Sequence, residues 1–310
     1  MFETGDHSRS PFVTLILLLI GVCLGFVVVG PLVGFLVTLP FYEGSMVDLA
    51  EALQNPMEHP DIKLPLYVLQ GSATLIGLIV TPVLLLKAFG RSVRSLFIPL
   101  QLYWIPVLLT PVIVVSFIGI NSWLVEWNAG LHLPETLKGI EEWARLNEDH
   151  RIELTAFMTN FSSTGELFIA LLVIAVIPAI GEELVFRGLI QNELYRLTQN
   201  AHAAVWLAAL LFSAFHLQFF GFFPRLLLGS LFGYMYYWSG SLVIAILAHF
   251  ANNCFAVLSL YFYQRGDLSI PLEETESLPG PALMLSAALT LLLLFYFRKF
   301  YSTRSELISR

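Results

Sequence analysis

Three short runs in this sequence bring together side chains that can activate water. The run "IPAIGEELVFRGLI", from Ile177 to Ile190, holds two adjacent acids, Glu182 and Glu183, with Arg187 close behind them; "FSAFH" ends on His216; and "HFANN" sets His249 four residues before Asn253. A carboxylate beside an imidazole can accept a proton from water, while the imidazole positions that water or binds a metal. A second imidazole and an amide can donate hydrogen bonds to a developing oxyanion. These parts point to hydrolysis.

The elements that must carry them are membrane helices. Of 310 residues, 57% are hydrophobic and 13% charged, and the mean hydropathy of +0.76 lies well above soluble globular usage. Apolar stretches long enough to cross a bilayer as helices recur along the chain. They lie near Phe12 to Leu39, Leu66 to Leu86, Leu102 to Leu124, Leu167 to Ile190, Ala203 to Phe220, Leu226 to Trp238, Leu242 to Tyr263 and Ala282 to Phe297. The first is longer than a signal-peptide core and no small-residue cleavage site follows it, so it reads as a retained anchor. The expected fold is an all-α polytopic membrane protein of about eight helices, with the candidate site on the fourth, fifth and seventh.

Lysine and arginine placement sets orientation. With the N-terminus inside, Arg9, Lys87, Arg91, Arg94, Arg187, Arg196, Arg298, Lys299, Arg304 and Arg310 fall on the inner side, against Lys63, Lys138, Arg145, Arg151, Arg225 and Arg265 outside. That bias predicts both termini in the cytoplasm, and the expected location is the cell (inner) membrane. Between the third and fourth segments, Leu137, Ile140, Trp143 and Ala144 recur at helical spacing, which predicts an amphipathic helix on the outer surface. Cys23 and Cys254 lie in apolar segments and suggest no disulfide framework. One integral domain over 1–310 is expected: 1–165 with three helices and the outer loop, 166–263 with the core, and 264–310 with a further loop, the last helix and a tail.

An ionisable group in a bilayer interior costs at least ~2.5–3.5 kcal/mol on insertion scales, so it persists where it is paired or lines a polar cavity. Glu183 and Arg187 stand four apart in the favourable order for a helical ion pair. Glu182 points about 100° around the helix and has no intrahelical cation partner. Pro178 should kink this helix and free a backbone carbonyl. Phe212 is expected to stack on His216 one turn later, and His249 and Asn253 share a face. Counted from the expected inner ends, Glu182, His216 and His249 can meet at one level in the inner half of the bilayer. Any one of these polar groups alone is ordinary interhelical hydrogen-bond glue; four together favour a site. His7, His59, His132, His150 and His202 lie in loops or at a helix start.

Other intramembrane designs fit poorly. Every aspartate lies outside the expected helices, no histidine begins H-E-x-x-H, and "WSGS" at Trp238 to Ser241 reads as a tight turn rather than a serine site. The ordered set E-E-x-x-x-R at Glu182 to Arg187, F-x-x-x-H at Phe212 to His216 and H-x-x-x-N at His249 to Asn253 resembles the CPBP family. This is the CAAX protease and bacteriocin-processing family of intramembrane endopeptidases, which includes the Rce1-type prenyl proteases. The resemblance spans about Ile177 to Cys254.

It implies that Glu182 and His216 activate the hydrolytic water, and that His249 and Asn253 stabilise the oxyanion or complete a metal site. Glu183 and Arg187 are then structural support. Zn2+ is the cofactor the resemblance suggests, with His216, His249 and Glu182 as ligands, beside a metal-free alternative. The reaction expected is peptide-bond hydrolysis near the cytoplasmic membrane face. Membrane lipids and a peptide or protein substrate are the expected partners, and nucleic acid is not. The alternatives are a non-catalytic membrane scaffold or immunity protein of the same fold, and, ranked last for want of repeat halves, a proton-coupled transporter.

Overall fold

The computed structural model describes residues 9–92, 96, 102–268 and 278–308. His7, Arg94, Arg310 and residues 269–277 lie outside them. Among the described residues the chain is helical and contains no strand. In order the helices are α1 (Pro11–Phe41), α2 (Met46–Gln54), α3 (Pro60–Ala88), α4 (Trp104–Ala129), α5 (Lys138–Met158), α6 (Thr164–Thr198), α7 (Ala201–Phe215), α8 (Phe222–Ser239), α9 (Leu242–Gln264) and α10 (Gly280–Ile308).

Six of them, α1, α3, α4, α6, α9 and α10, are long and apolar enough to cross a membrane. The expected fifth and sixth segments form a shorter hairpin, α7 with 15 residues and α8 with 18. The fifth segment ends at Phe215 rather than Phe220 because the chain turns there: Leu217 takes a left-handed φ of 52°, and the turn feeds straight into α8. The fourth runs the other way, eight residues past its apolar stretch to Thr198, since Glu193 finds Arg91 and Arg196 at 2.5 Å each. Paired charges extend a helix where hydropathy alone would end it.

Proline shapes three of the long helices. A π turn at Gly25–Val29 precedes Pro31, one at Ile76–Val80 precedes Pro82, and one at Leu171–Val176 precedes Pro178. Proline lacks an N–H and its ring crowds the carbonyl four residues back, so a wider turn accommodates it without breaking the helix. α1 and α3 meet almost backbone to backbone: a Cβ on Gly77 would fall 2.5 Å from the Phe26 Cα, so only glycine fits that crossing.

α6 is the central element. Every residue from Leu184 to Gln191 is buried, the mark of a helix covered on all sides. On one side Val185, Phe186, Ile190 and Leu194 pack with Leu15 and Val22 of α1, Leu78 of α3 and Ala204, Ala208 and Phe212 of α7. A second core joins Ile113 and Val114 of α4, Phe232 and Met235 of α8, Ile244 and Ala248 of α9 and Phe297 of α10. On the outside, Phe12, Ile16, Ile20 and Leu24 form an exposed stripe at i, i+4 spacing along α1, as a lipid-facing surface requires. α5 is the expected amphipathic helix, but it packs through Ala144, Glu148 and Met158; Ile140 and Trp143 of the expected stripe stay exposed.

Candidate functional site

Glu183 is the hub of a buried network. Its Oε1 accepts from Arg187 Nη1 at 2.6 Å and lies 2.8 Å from His249 Nδ1. A carboxylate at this contact only accepts, so the imidazole donates from Nδ1, and Nε2 becomes a donor only in the imidazolium. Arg187 Nη2 donates to the Gly229 carbonyl of α8 at 2.8 Å, and its guanidinium lies over the Phe212 and Phe232 rings. His249 stacks on Phe232 with centroids 5.4 Å apart and meets the edge of Phe212. The expected Glu183–Arg187 pair therefore does more than link helices: it fixes the ring of His249.

Glu182 is placed differently. It points toward α7, where His216 Nε2 is 3.8 Å from its Oε2. That oxygen is buried and has no hydrogen-bond partner among the described residues. His216 Nδ1 donates to the Phe212 carbonyl at 2.8 Å, so in neutral His216 the Nε2 lone pair faces the carboxylate. Two acceptors thus confront each other at a separation too long for a hydrogen bond. The rings of Phe212 and His216 meet at 64° with centroids 5.0 Å apart, an edge contact rather than the stack expected from spacing. The left-handed Leu217 follows at once, ending α7 on the histidine.

Asn253 is engaged one turn further along α9. Its Nδ2 donates to the Ile174 carbonyl at 3.0 Å. Ile174 is the residue four before Pro178, so this is the acceptor that proline strips of its helical donor. Asn252 Nδ2 donates to Asn253 Oδ1 at 3.1 Å and holds the amide in that orientation. One of the two N–H groups of Asn253 is thereby committed to α6, and the other is left for a different partner.

The structure brings Glu182 to His216, and Glu183 to Arg187 and His249, with Phe212 touching both imidazoles. Glu182 is about 27 Å from the first residue of α6 and about 24 Å from its last, at 1.5 Å per residue, so it sits at mid-length of a helix that continues past Ile190 to Thr198. His216 stands at the end of α7 remote from the turn to α6, on the side where α5 docks. At the opposite end Arg196 Nη2 donates to the Arg9 carbonyl at 3.3 Å.

Several surrounding groups left no mark that the sequence reading caught. Phe232 and the Gly229 carbonyl come from α8, a segment that reads as plain apolar helix. Glu148 of α5 is buried, and both its oxygens accept from the Phe220 N–H, at 3.0 and 3.1 Å. Burial pushes its carboxyl above the ordinary value, against the pull of that N–H and of Arg225. Arg225, expected in an outer loop, lies in the first turn of α8. Arg145 lies over the Phe220 ring at 3.9 Å, so α5 grips the turn between His216 and α8. A cleft of about 260 Å³ opens beside it, lined by Trp143, Asn147, Leu217 and Phe222 among others.

Glu182, His216 and His249 were the expected metal ligands. No group of three or more His, Cys, Asp or Glu among the described residues is arranged to hold a metal ion, whereas the Nδ1 hydrogen bonds of His216 and His249 leave each Nε2 uncommitted and are themselves compatible with ligation. The donor set does not fit a three-ligand centre.

Residues 164–255 match a family model described as Type II CAAX prenyl endopeptidase Rce1-like. The match takes in α6, α7, α8 and the greater part of α9, and so every residue of the expected site; α1 to α5 and α10 lie outside it. Comparison with curated proteins and with solved structures gave no significant match. Over the helices that build the site, residues 164–255, this multi-pass membrane protein is similar to the Rce1-like family of type II CAAX prenyl endopeptidases.

Proposed function

We propose that the protein is an intramembrane endopeptidase that hydrolyses a peptide bond with a water activated by Glu182 and His216. The observation that carries this reading is the facing of Glu182 Oε2 and His216 Nε2, two acceptors 3.8 Å apart. A water whose two hydrogens point at those atoms satisfies both and is polarised by both. Glu182 takes its proton as the oxygen attacks the carbonyl carbon, and His216 orients it; when the tetrahedral intermediate collapses the C–N bond breaks and protonated Glu182 returns that proton to the leaving amine. His249, as the imidazolium beside Glu183, donates from Nε2 to the oxyanion; the uncommitted N–H of Asn253 supplies a second donor. Glu183 and Arg187 act through His249. The reaction is derived without a step through a metal ion, because the donors do not converge on one.

We also place the mouth of the site on the α5 side, opposite the termini. The two expectations of cytoplasmic termini and a cytoplasmic mouth then exclude each other, and a substrate enters from the face that carries α5.

The test is cleavage of a quenched fluorescent peptide library by full-length protein in nanodiscs. Glu182→Ala and His216→Ala should each lose at least about 100-fold in turnover while eluting as folded monodisperse protein, and dialysis against a chelator should leave turnover unchanged. Cleavage retained in both variants would refute the assignment of Glu182 and His216, and no cleavage by the unsubstituted protein would favour a scaffold or immunity protein; loss on chelation, restored by zinc, would refute the metal-free route.

A further inference from the structure

Arg225 is a half-buried cation with no part in the mechanism above. Its side chain folds back over the turn that follows His216, so closely that a Cβ on Gly221 would fall 2.0 Å from Nη1. That Nη1 is buried and has no hydrogen-bond partner among the described residues. The charges that act on Arg225 are Glu148 on α5, Glu182 in the site and Arg151, and its own charge reaches His216. Neither acid makes an ion pair with it among the described residues: both oxygens of Glu148 are taken by the Phe220 N–H, and Glu182 faces His216. Other cations near the site are used, Arg187 by Glu183 and Gly229, and Arg145 by Glu141.

A guanidinium is a rigid fork of five donors that matches a carboxylate in two parallel bonds, and it stays charged when buried. A fork with an idle nitrogen, seated on a glycine and within electrostatic reach of Glu182 and His216, is suited to receive an anion brought by the substrate. We propose that Arg225 seats a carboxylate of the peptide substrate and so selects which bond reaches Glu182 and His216. This rests on the endopeptidase reading, which makes the ligand a peptide. The carboxylate has two sources, the peptide's own C-terminus or an acidic side chain. Gly221 belongs to the same device, since any larger residue there evicts the guanidinium.

The test uses full-length protein in nanodiscs and a mixture of apolar nonapeptides in three forms: free acids, the same sequences as C-terminal amides, and amides with one internal glutamate. Affinity is measured in the Glu182→Gln background, so that binding is read without turnover. One carboxylate-bearing form should bind at least about tenfold more tightly than the plain amides. Arg225→Gln and Gly221→Ala should each abolish that preference, and Arg225→Lys should restore part of it. Preference for the free acids identifies the C-terminus, and preference for the internal glutamate identifies the side chain.

Equal affinity for all three forms, binding of none included, overturns the proposal, as does a preference that survives in Arg225→Gln. Gly221→Ala keeps the test decisive if the arginine variant fails to fold. Turnover measured separately distinguishes the two readings: a carboxylate preference without cleavage refutes the peptidase alone, and cleavage without a preference refutes the role of Arg225 alone.

Discussion

Glu182 and Glu183 are chemically identical neighbours, and the structure predicts opposite consequences of removing their charges. Glu183 Oε1 holds Arg187 and His249 at 2.6 and 2.8 Å, and all three side chains are at most 5% exposed. Glu183→Gln leaves a buried guanidinium with one backbone carbonyl and two aromatic faces for compensation. Breaking a buried pair from one side costs about 3–5 kcal/mol. At about 2–4 °C per kcal/mol for a large domain, the melting midpoint should fall by roughly 10 °C. Glu182 has no such partner, only an imidazole at 3.8 Å, so Glu182→Gln should leave the midpoint within about 2 °C. Its turnover per folded molecule should nevertheless fall by about 10²–10⁴, the usual contribution of a general base. Midpoints come from fluorescence-detected size exclusion after heating in detergent, and turnover from the peptide library. A midpoint for Glu182→Gln as low as that of Glu183→Gln would refute the division of labour.

Two further outcomes are expected. Asn253→Ala leaves the Ile174 carbonyl without its donor and should cost about 1–3 kcal/mol; in a Pro178→Ala background, where residue 178 regains an N–H, the loss should shrink, and equal losses in both backgrounds would refute the capping role. In protein lacking Cys23 and Cys254, Asn147→Cys on α5 and Gln199→Cys at the α6–α7 turn should react with an impermeant maleimide from opposite faces of the membrane; labelling of both from one side would refute the placement of the site's mouth.

The candidate site was legible from sequence because polarity is conspicuous in apolar helices. Glu182, Glu183, Arg187, His216, His249 and Asn253 stood out one by one, and the kink at Pro178 foretold a freed carbonyl. What takes up that carbonyl was not legible, since Asn253 is far along the chain and carried an obvious catalytic reading. The end of the fourth segment was not legible for a related reason: hydropathy ends it at Ile190, whereas paired charges carry α6 to Thr198. The tie between Glu183 and His249 is purely tertiary, and i, i+4 spacing pointed to Arg187 alone. Arg225 and Glu148 escaped notice because the first lies at a segment edge and the second midway along the polar helix α5, where a charge is unremarkable until folding buries it.

The shortness of α7 bears on the surrounding lipid. Its 15 residues span about 22 Å, some 8 Å less than a hydrocarbon layer of about 30 Å. If that flank faces lipid, acyl chains beside it must compress or tilt, and the phosphate plane would dip toward the histidine that ends the helix. Under the endopeptidase proposal, a polypeptide tethered at the headgroups would thereby be lowered to the depth of Glu182 and His216 while its anchor stays in the leaflet, and the bilayer would do part of the delivery.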